Sequence, residues 1–279
     1  MQQPNPLSQY FRQPAIHIRL PSGGQFYPVG SLNMPPNGEL PVLPMTAVDE
    51  ITYRTPDALF NGSAVVSVIQ SCVPSIRNAW VMPSTDIDAV LVAIRIASFG
   101  HGMDIASTCP SCQHTEDFTL DLRKINDQIR PGQYDQNLSI SNLEFYFKPI
   151  SYQDVNRNNQ VQFEQQQALR ALDSDTTEDT AKLEQLNRVM KVINELTLKT
   201  ITQSISAIKT PDALVTEPQH IFEFLSNCDS RTFAQLRDHA ISLKQASEIK
   251  PVDLTCTECG HQYAQPFTLD MASFFGDAS

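Results

Sequence analysis

Cys109-Pro110-Ser111-Cys112 and Cys256-Thr257-Glu258-Cys259 are the two stretches on which the chain turns. A histidine follows each two residues later, His114 and His261, and then a near-identical run. Phe118-Thr119-Leu120-Asp121-Leu122 follows the first pair, and Phe267-Thr268-Leu269-Asp270-Met271 follows the second. The pattern reads as one local unit used twice, a knuckle that presents two sulfurs and leads into a strand. A tight Cys-x-x-Cys turn aims both sulfurs at one point, so two turns supply the four thiolates of a tetrahedral zinc site. Residues 113–255 separate the inner cysteines, whereas a compact zinc ribbon has roughly 15–20 residues between its pairs. One metal shared by Cys109, Cys112, Cys256 and Cys259 therefore makes the intervening chain an insertion hung from a ribbon. His114 and His261 are expected to be turn residues or neighbours of the site rather than ligands. Four thiolates leave no open coordination position, so the expected role is structural. A redox pair would place Cys-x-x-Cys at a helix start in a βαβ pattern, which neither motif has. Disulfides within or between the pairs remain the alternative for an extracellular chain.

Composition narrows the function. Acidic residues outnumber basic ones 31 to 20, for a net charge of −11. Nucleic-acid binding draws most of its energy from clustered Lys and Arg, so a nucleic-acid-binding zinc-ribbon module stands only as the second reading. No apolar run approaches the roughly 20 residues that span a bilayer, so no membrane partner is expected. Met1 to Pro14 is polar and rich in Pro and Gln, without the apolar core of a signal peptide. Six cysteines, four in metal spacing, fit a reducing compartment. Cys72 and Cys228 sit in apolar patterns and are read as small buried residues.

The remaining patterns predict an α+β protein, mainly helical, with small β-sheets beside the four-cysteine ribbon. Residues 1–13 read as an extended arm, and 14–150 as an α+β core holding the first knuckle. Residues 151–250 read as a helical insertion with an αα-hairpin, and 251–279 as the second knuckle with an aromatic tail. Ile16, Ile18 and Leu20 alternate as a strand, and Phe26-Tyr27-Pro28 reads as extended. Thr46 to Glu50 resembles a helix cap. Thr55-Pro56-Asp57 opens a short helix ended by Gly62. Val90 to Phe99 makes a helix apolar on nearly every side, hence central. Arg95 within it calls for a buried carboxylate such as Asp49, Glu50 or Asp86. A single strand is expected over about 138–149. A mostly polar helix follows from Ser151, then a long one from about Glu178 to Ile208. The apolar stripe of that second helix either packs on the insertion or meets another chain. Phe274-Phe275 either folds back on the ribbon or anchors in a partner. No nucleotide-binding, metalloprotease or serine-hydrolase motif is present, and nothing converges on a catalytic constellation.

Leu20-Pro21-Ser22-Gly23-Gly24-Gln25-Phe26-Tyr27-Pro28, Met45-Thr46-Ala47-Val48-Asp49-Glu50, Thr55-Pro56-Asp57-Ala58-Leu59-Phe60-Asn61-Gly62 and Ile94-Arg95-Ile96-Ala97-Ser98-Phe99-Gly100 carry a family resemblance. Together with the two knuckles and Ser273-Phe274-Phe275, they resemble the baseplate-hub and hub-assembly proteins of T4-type contractile-tailed phages. The likeness is strongest over roughly 20–122 and 252–276. It implies a non-enzymatic protein of the infected cell's cytoplasm that builds the tail baseplate hub or remains in it. Its implied partners are other tail and hub proteins, the tape-measure protein among them. The resemblance transfers no active-site residue.

Overall fold

The computed structural model describes residues 5–55, 62–130, 132–174, 179–267, 269 and 274. In chain order its elements are β1 (Ile16–Ile18), β2 (Leu40–Val42), α1 (Ala47–Tyr53), α2 (Ser63–Cys72), α3 (Ser84–Phe99), β3 (Gly102–Thr108), β4 (Thr115–Asp121) and α4 (Leu122–Gln128). Then come β5 (Leu138–Ile140), β6 (Leu143–Phe147), α5 (Tyr152–Ser174), α6 (Asp179–Ser204), β7 (Ile205–Lys209), β8 (Leu214–Val215), α7 (Pro218–Asn227), α8 (Ser230–Ser247), β9 (Val252–Thr255) and β10 (Gln262–Gln265). The fold is α+β, with eight helices among the described residues and small, wholly antiparallel sheets. It divides into two compact units. The first comprises Met1–Ala79, Asp86–Arg130 and Glu248–Ser279, and the second Trp80–Thr85 and Pro131–Ser247.

The first unit is built around α3. Val90, Leu91, Val92, Ala93 and Ile94 are all fully buried, which no helix with one wet face permits. Leu40, Val42, Val68, Ile69 and Ile76 complete this core at zero exposure or close to it. Thr46 caps α1 reciprocally, accepting from the Asp49 N–H while the Asp49 carboxylate accepts from the Thr46 N–H. The same carboxylate takes Arg12 Nη1 at 3.1 Å, and Arg12 also donates to the carbonyls of Pro44 and Ser71. So the N-terminal arm is pinned to the core by one guanidinium. Residues 21–26 form turns, as Ser22-Gly23-Gly24 predicts, but the turn also takes in Phe26, at φ 68°, which was expected to be extended. The short helix expected from Thr55-Pro56-Asp57 lies outside the described residues.

Arg95 is buried but meets aromatic faces: its guanidinium carbon lies 5.4 Å from the ring centres of both Phe99 and Phe274. Asp49 is taken by Arg12, and Asp86 accepts from the N–H and hydroxyl of Ser22. The rings of Phe99 and Phe274 are thus partners of Arg95 that the expected pairing with a buried carboxylate did not include. A planar, weakly hydrated guanidinium stacks on ring faces at a lower desolvation cost than an ammonium. The contact also places Phe274 back against this unit, where it is 1% exposed; Phe275 lies outside the described residues.

In the second unit β5, β6, β7 and β8 form one four-stranded sheet in that order. Phe145, Phe147, Ile205 and Ile208 pack with Ile201, Ile221, Leu225, Leu236 and Leu243 into its core. Two expectations change here. The strand expected over 138–149 is a hairpin, turned at Ser141 with φ 56°. The long helix ends at Ser204, and Ile205–Lys209 is a strand paired with β6. The apolar stripe of α6 splits accordingly. Ile201 and Val189 are buried, whereas Leu183, Leu186 and Met190 are exposed. Asn158 Nδ2 donating to Thr200 Oγ1, and Gln203 Nε2 to Asp154 Oδ1, lock the base of the α5–α6 pair.

Candidate metal centre

Each knuckle sits at the tip of a two-stranded hairpin: β3 ends one residue before Cys109, and β9 ends one residue before Cys256. The return strand begins three residues after the second cysteine in both, at Thr115 and Gln262. The closing bonds are equivalent too. Cys109 N–H donates to the His114 carbonyl and Cys256 N–H to that of His261, each at 2.9 Å. Gln113 N–H returns to Cys109, and Gly260 N–H to Cys256. The residue after the second cysteine must turn left-handed, at φ 62° for Gln113 and φ 71° for Gly260. Glycine takes that conformation freely, and glutamine takes it at a cost of order 1 kcal/mol. The likeness is thus one of backbone, and the repeated Phe-Thr-Leu-Asp text is not in register with it. Phe118 lies inside β4, but Phe267 comes after β10 has ended.

The two hairpins turn alternate faces toward each other. Ser107, Leu120 and Leu254 are buried while Thr108, Thr119, Asp253 and Thr255 are exposed. Ser107 Oγ lies 3.0 Å from Tyr263 Oη and donates to Gln265 Oε1 at 2.8 Å. At the tips the Glu116 carboxylate accepts from the N–H and hydroxyl of Thr257. These bonds bring the four sulfurs together. Cys109 Sγ is 3.8 Å from Cys259 Sγ and Cys112 Sγ is 3.6 Å from Cys256 Sγ; all four lie within 4.8 Å of one another. Every predicted ligand is thus in one cluster, and neither histidine belongs to it. The His261 ring instead stacks on Tyr263.

All four cysteines are free thiols here, and the separations exceed by far the roughly 2.0 Å of a disulfide. Tetrahedral zinc with Zn–S bonds of about 2.3 Å places its sulfurs about 3.8 Å apart. The donor set therefore fits a metal. Its electrostatics agree. The backbone N–H of Cys112, with that of Ser111, lowers the Cys109 thiol to about 7. Cys112 receives the His114 N–H, yet its sulfur neighbours Cys259, Cys256 and Cys109 hold it up at about 12. Clustered thiols resist a second and third negative charge unless a cation joins them.

Residues 32–276 match the T4 bacteriophage base plate protein family, so the match covers most of the chain. The chain belongs to that family. The family match runs through both knuckles and the helical second unit, and it begins after Leu20–Pro28, one of the segments that first suggested it. No curated protein and no solved structure shows detectable similarity to the chain. Membership makes this a structural base plate component whose associations are with other phage tail proteins. Among the described residues no helix is long and apolar enough to cross a membrane.

Proposed function

We propose that the protein is a non-enzymatic structural or assembly component of the base plate hub, built on one structural zinc ion. The observation that carries this is the convergence of Cys109, Cys112, Cys256 and Cys259 within a base plate family chain. In this reading the metal closes the four thiolates into a complete shell and does no chemistry, since no position is left for water or substrate. It staples the segment after the central helix to the last stretch of the chain, with residues 151–250 inserted between. Knuckle N–H groups from Ser111 and Cys112 steady the first thiolate, and those of Glu258 and Cys259 do so for the second knuckle. The arm of residues 1–13 and the exposed stripe at Leu183, Leu186 and Met190 provide surface for hub or tape-measure proteins. Assembly takes place in the host cytoplasm, and the protein ends in the virion tail or departs before completion.

Metal analysis of the purified protein, with mass spectrometry of purified particles, tests this. The expected result is one zinc per chain and a lower melting temperature after chelation. A metal-free protein with an unchanged melting temperature would discard the zinc assignment. Absence of the chain from both finished particles and isolated hub intermediates would discard the hub assignment.

A further inference from the structure

The first unit holds an open groove of about 790 Å³ lined by β4, β9 and the helix α4 with the residues just after it. Its lining includes four consecutive residues, 118–121 in β4, and five consecutive residues, 250–254 leading into and through β9. Side chains of a strand alternate between faces, so an unbroken run of lining residues means that the backbone itself borders the groove. Both strands belong to two-stranded sheets among the described residues, so each has one partner and one open edge. The hydrogen-bonding phase follows from the register. Leu122 N–H donates to His101 O and Cys109 N–H to His114 O, so in β4 residues 116, 118 and 120 bond inward. The peptide groups of Asp117, Thr119 and Asp121 point outward. Such a row of unpaired groups is a template for another strand.

The rim is basic on an acidic protein. Lys124, Arg130 and Lys250 all line the groove, and none is ion-paired among the described residues. Asp121, by contrast, is already neutralised by Arg123 at 2.7 Å. Asp253 is the one further acid in the lining. These three cations stand at one groove of a chain whose net charge is −11, and Arg130 is held in place by the carbonyls of Asp127 and Ile129. Phe118, Leu120, Val252 and Leu254 supply the apolar floor between the edges.

We infer that this groove receives an extended acidic segment of another protein, added as a third strand along the outer edge of β4. Main-chain bonds to the outward peptide groups of Asp117, Thr119 and Asp121 give affinity. Lys124, Arg130 and Lys250 select the acidic side chains, and the apolar floor takes the alternate ones. This goes beyond the zinc-stapled hub reading and needs no metal ligand other than as a brace for the hairpins.

The test uses the full-length metal-loaded protein and a short fluorescein-labelled peptide of alternating glutamate and valine, followed by anisotropy. The expected result is saturable binding, about tenfold or more weaker for the same peptide with lysine in place of glutamate. The exposed double variant Lys124→Glu/Lys250→Glu should weaken binding by about tenfold or more with unchanged circular dichroism and metal content. Thr119→Pro removes an outward N–H that the hairpin does not use, and should abolish binding. Should that variant misfold, a peptide with alternate N-methylated amides interrupts the same bonds from the other side and should likewise not bind. Equal affinity for both peptides, or undiminished binding by the charge-reversed protein, overturns the proposal. So does full displacement by millimolar inorganic phosphate, which would mark a small-anion site.

Discussion

The Asp86 carboxylate is fully buried in the first unit, held by the N–H and hydroxyl of Ser22. Burial pushes its pKa from the ordinary value of 3.8 up to about 6, against the opposing pull of the Ser22 hydroxyl and N–H. A folded state that binds a proton more tightly than the unfolded chain is favoured at low pH. Its advantage is fully present below about 4 and is lost as pH rises through 6. A shift of this size corresponds to about 3 kcal/mol. Asp86→Asn keeps an acceptor for the Ser22 N–H and removes the titration. Its melting temperature should therefore rise relative to wild type as pH goes from 4 to 7, and a pH-independent difference would refute the assignment. At the knuckles, Cys112→Ser or Cys256→Ser should release metal and lower the melting temperature, since binding and folding are coupled. Cys228→Ser, half-buried and far from the cluster in sequence, should keep a full metal content. Equal metal content in all three variants would exclude the four-thiolate site. The cysteines were readable because spacing alone sets where two sulfurs of one turn point. The environment of Arg95 was not. Two of its candidate carboxylates, Asp49 and Asp86, are bound by Arg12 and Ser22, and its rings come from Phe99 and from Phe274 far along the chain.

Helix α6 shows how far periodicity reaches. Apolar residues recur at steps of three and four from Leu183 to Ile208, and Ile205 with Ile208 continues the helical spacing. What makes Ile205–Lys209 a strand is pairing with β6, where Phe145 opposes Ile208 and Phe147 opposes Ile205. That partner lies about sixty positions earlier, with Ser206 Oγ donating to Tyr146 O across a separation of 60. No local window contains it, so tertiary pairing overrides the local pattern. Elements whose signals are local fared better: the apolar α3, the capping box of α1 and the Ser151–Asp154 cap of α5 are all where the text places them. The split stripe yields a graded expectation. Ile208→Ala, buried among Phe145 and its neighbours, should cost about 2–5 kcal/mol in urea unfolding. Leu186→Ala, 42% exposed, should stay within about 0.5 kcal/mol. Comparable losses at both positions would mean that the whole stripe is packed in the isolated protein.

At the scale of the molecule, the chain's course would give a metal held by the four cysteines a reach that its size conceals. The first unit is assembled from three separate stretches, and the sulfur cluster joins the second of these to the third. Cys112 and Cys256 are 144 positions apart. A cross-link over such a span removes about 5 kcal/mol of chain entropy from the unfolded state by the loop-closure estimate. Yet the second unit has its own sheet and its own core, and none of the four clustered cysteines belongs to either. Loss of metal should therefore be felt unequally. After chelation, amide hydrogen exchange should accelerate across 102–121 and 252–265, where the two hairpins lose the tie at their tips. Amides of 143–147 and 205–209 should keep their protection, because their ladder and the packing of Phe145 against Ile208 are independent of the ribbon. Uniform acceleration in both units would show that they unfold as one and that the cluster governs the whole chain. No acceleration in either would mean that the hairpins stand on the Ser107–Tyr263 and Glu116–Thr257 bonds alone, with the sulfurs as bystanders.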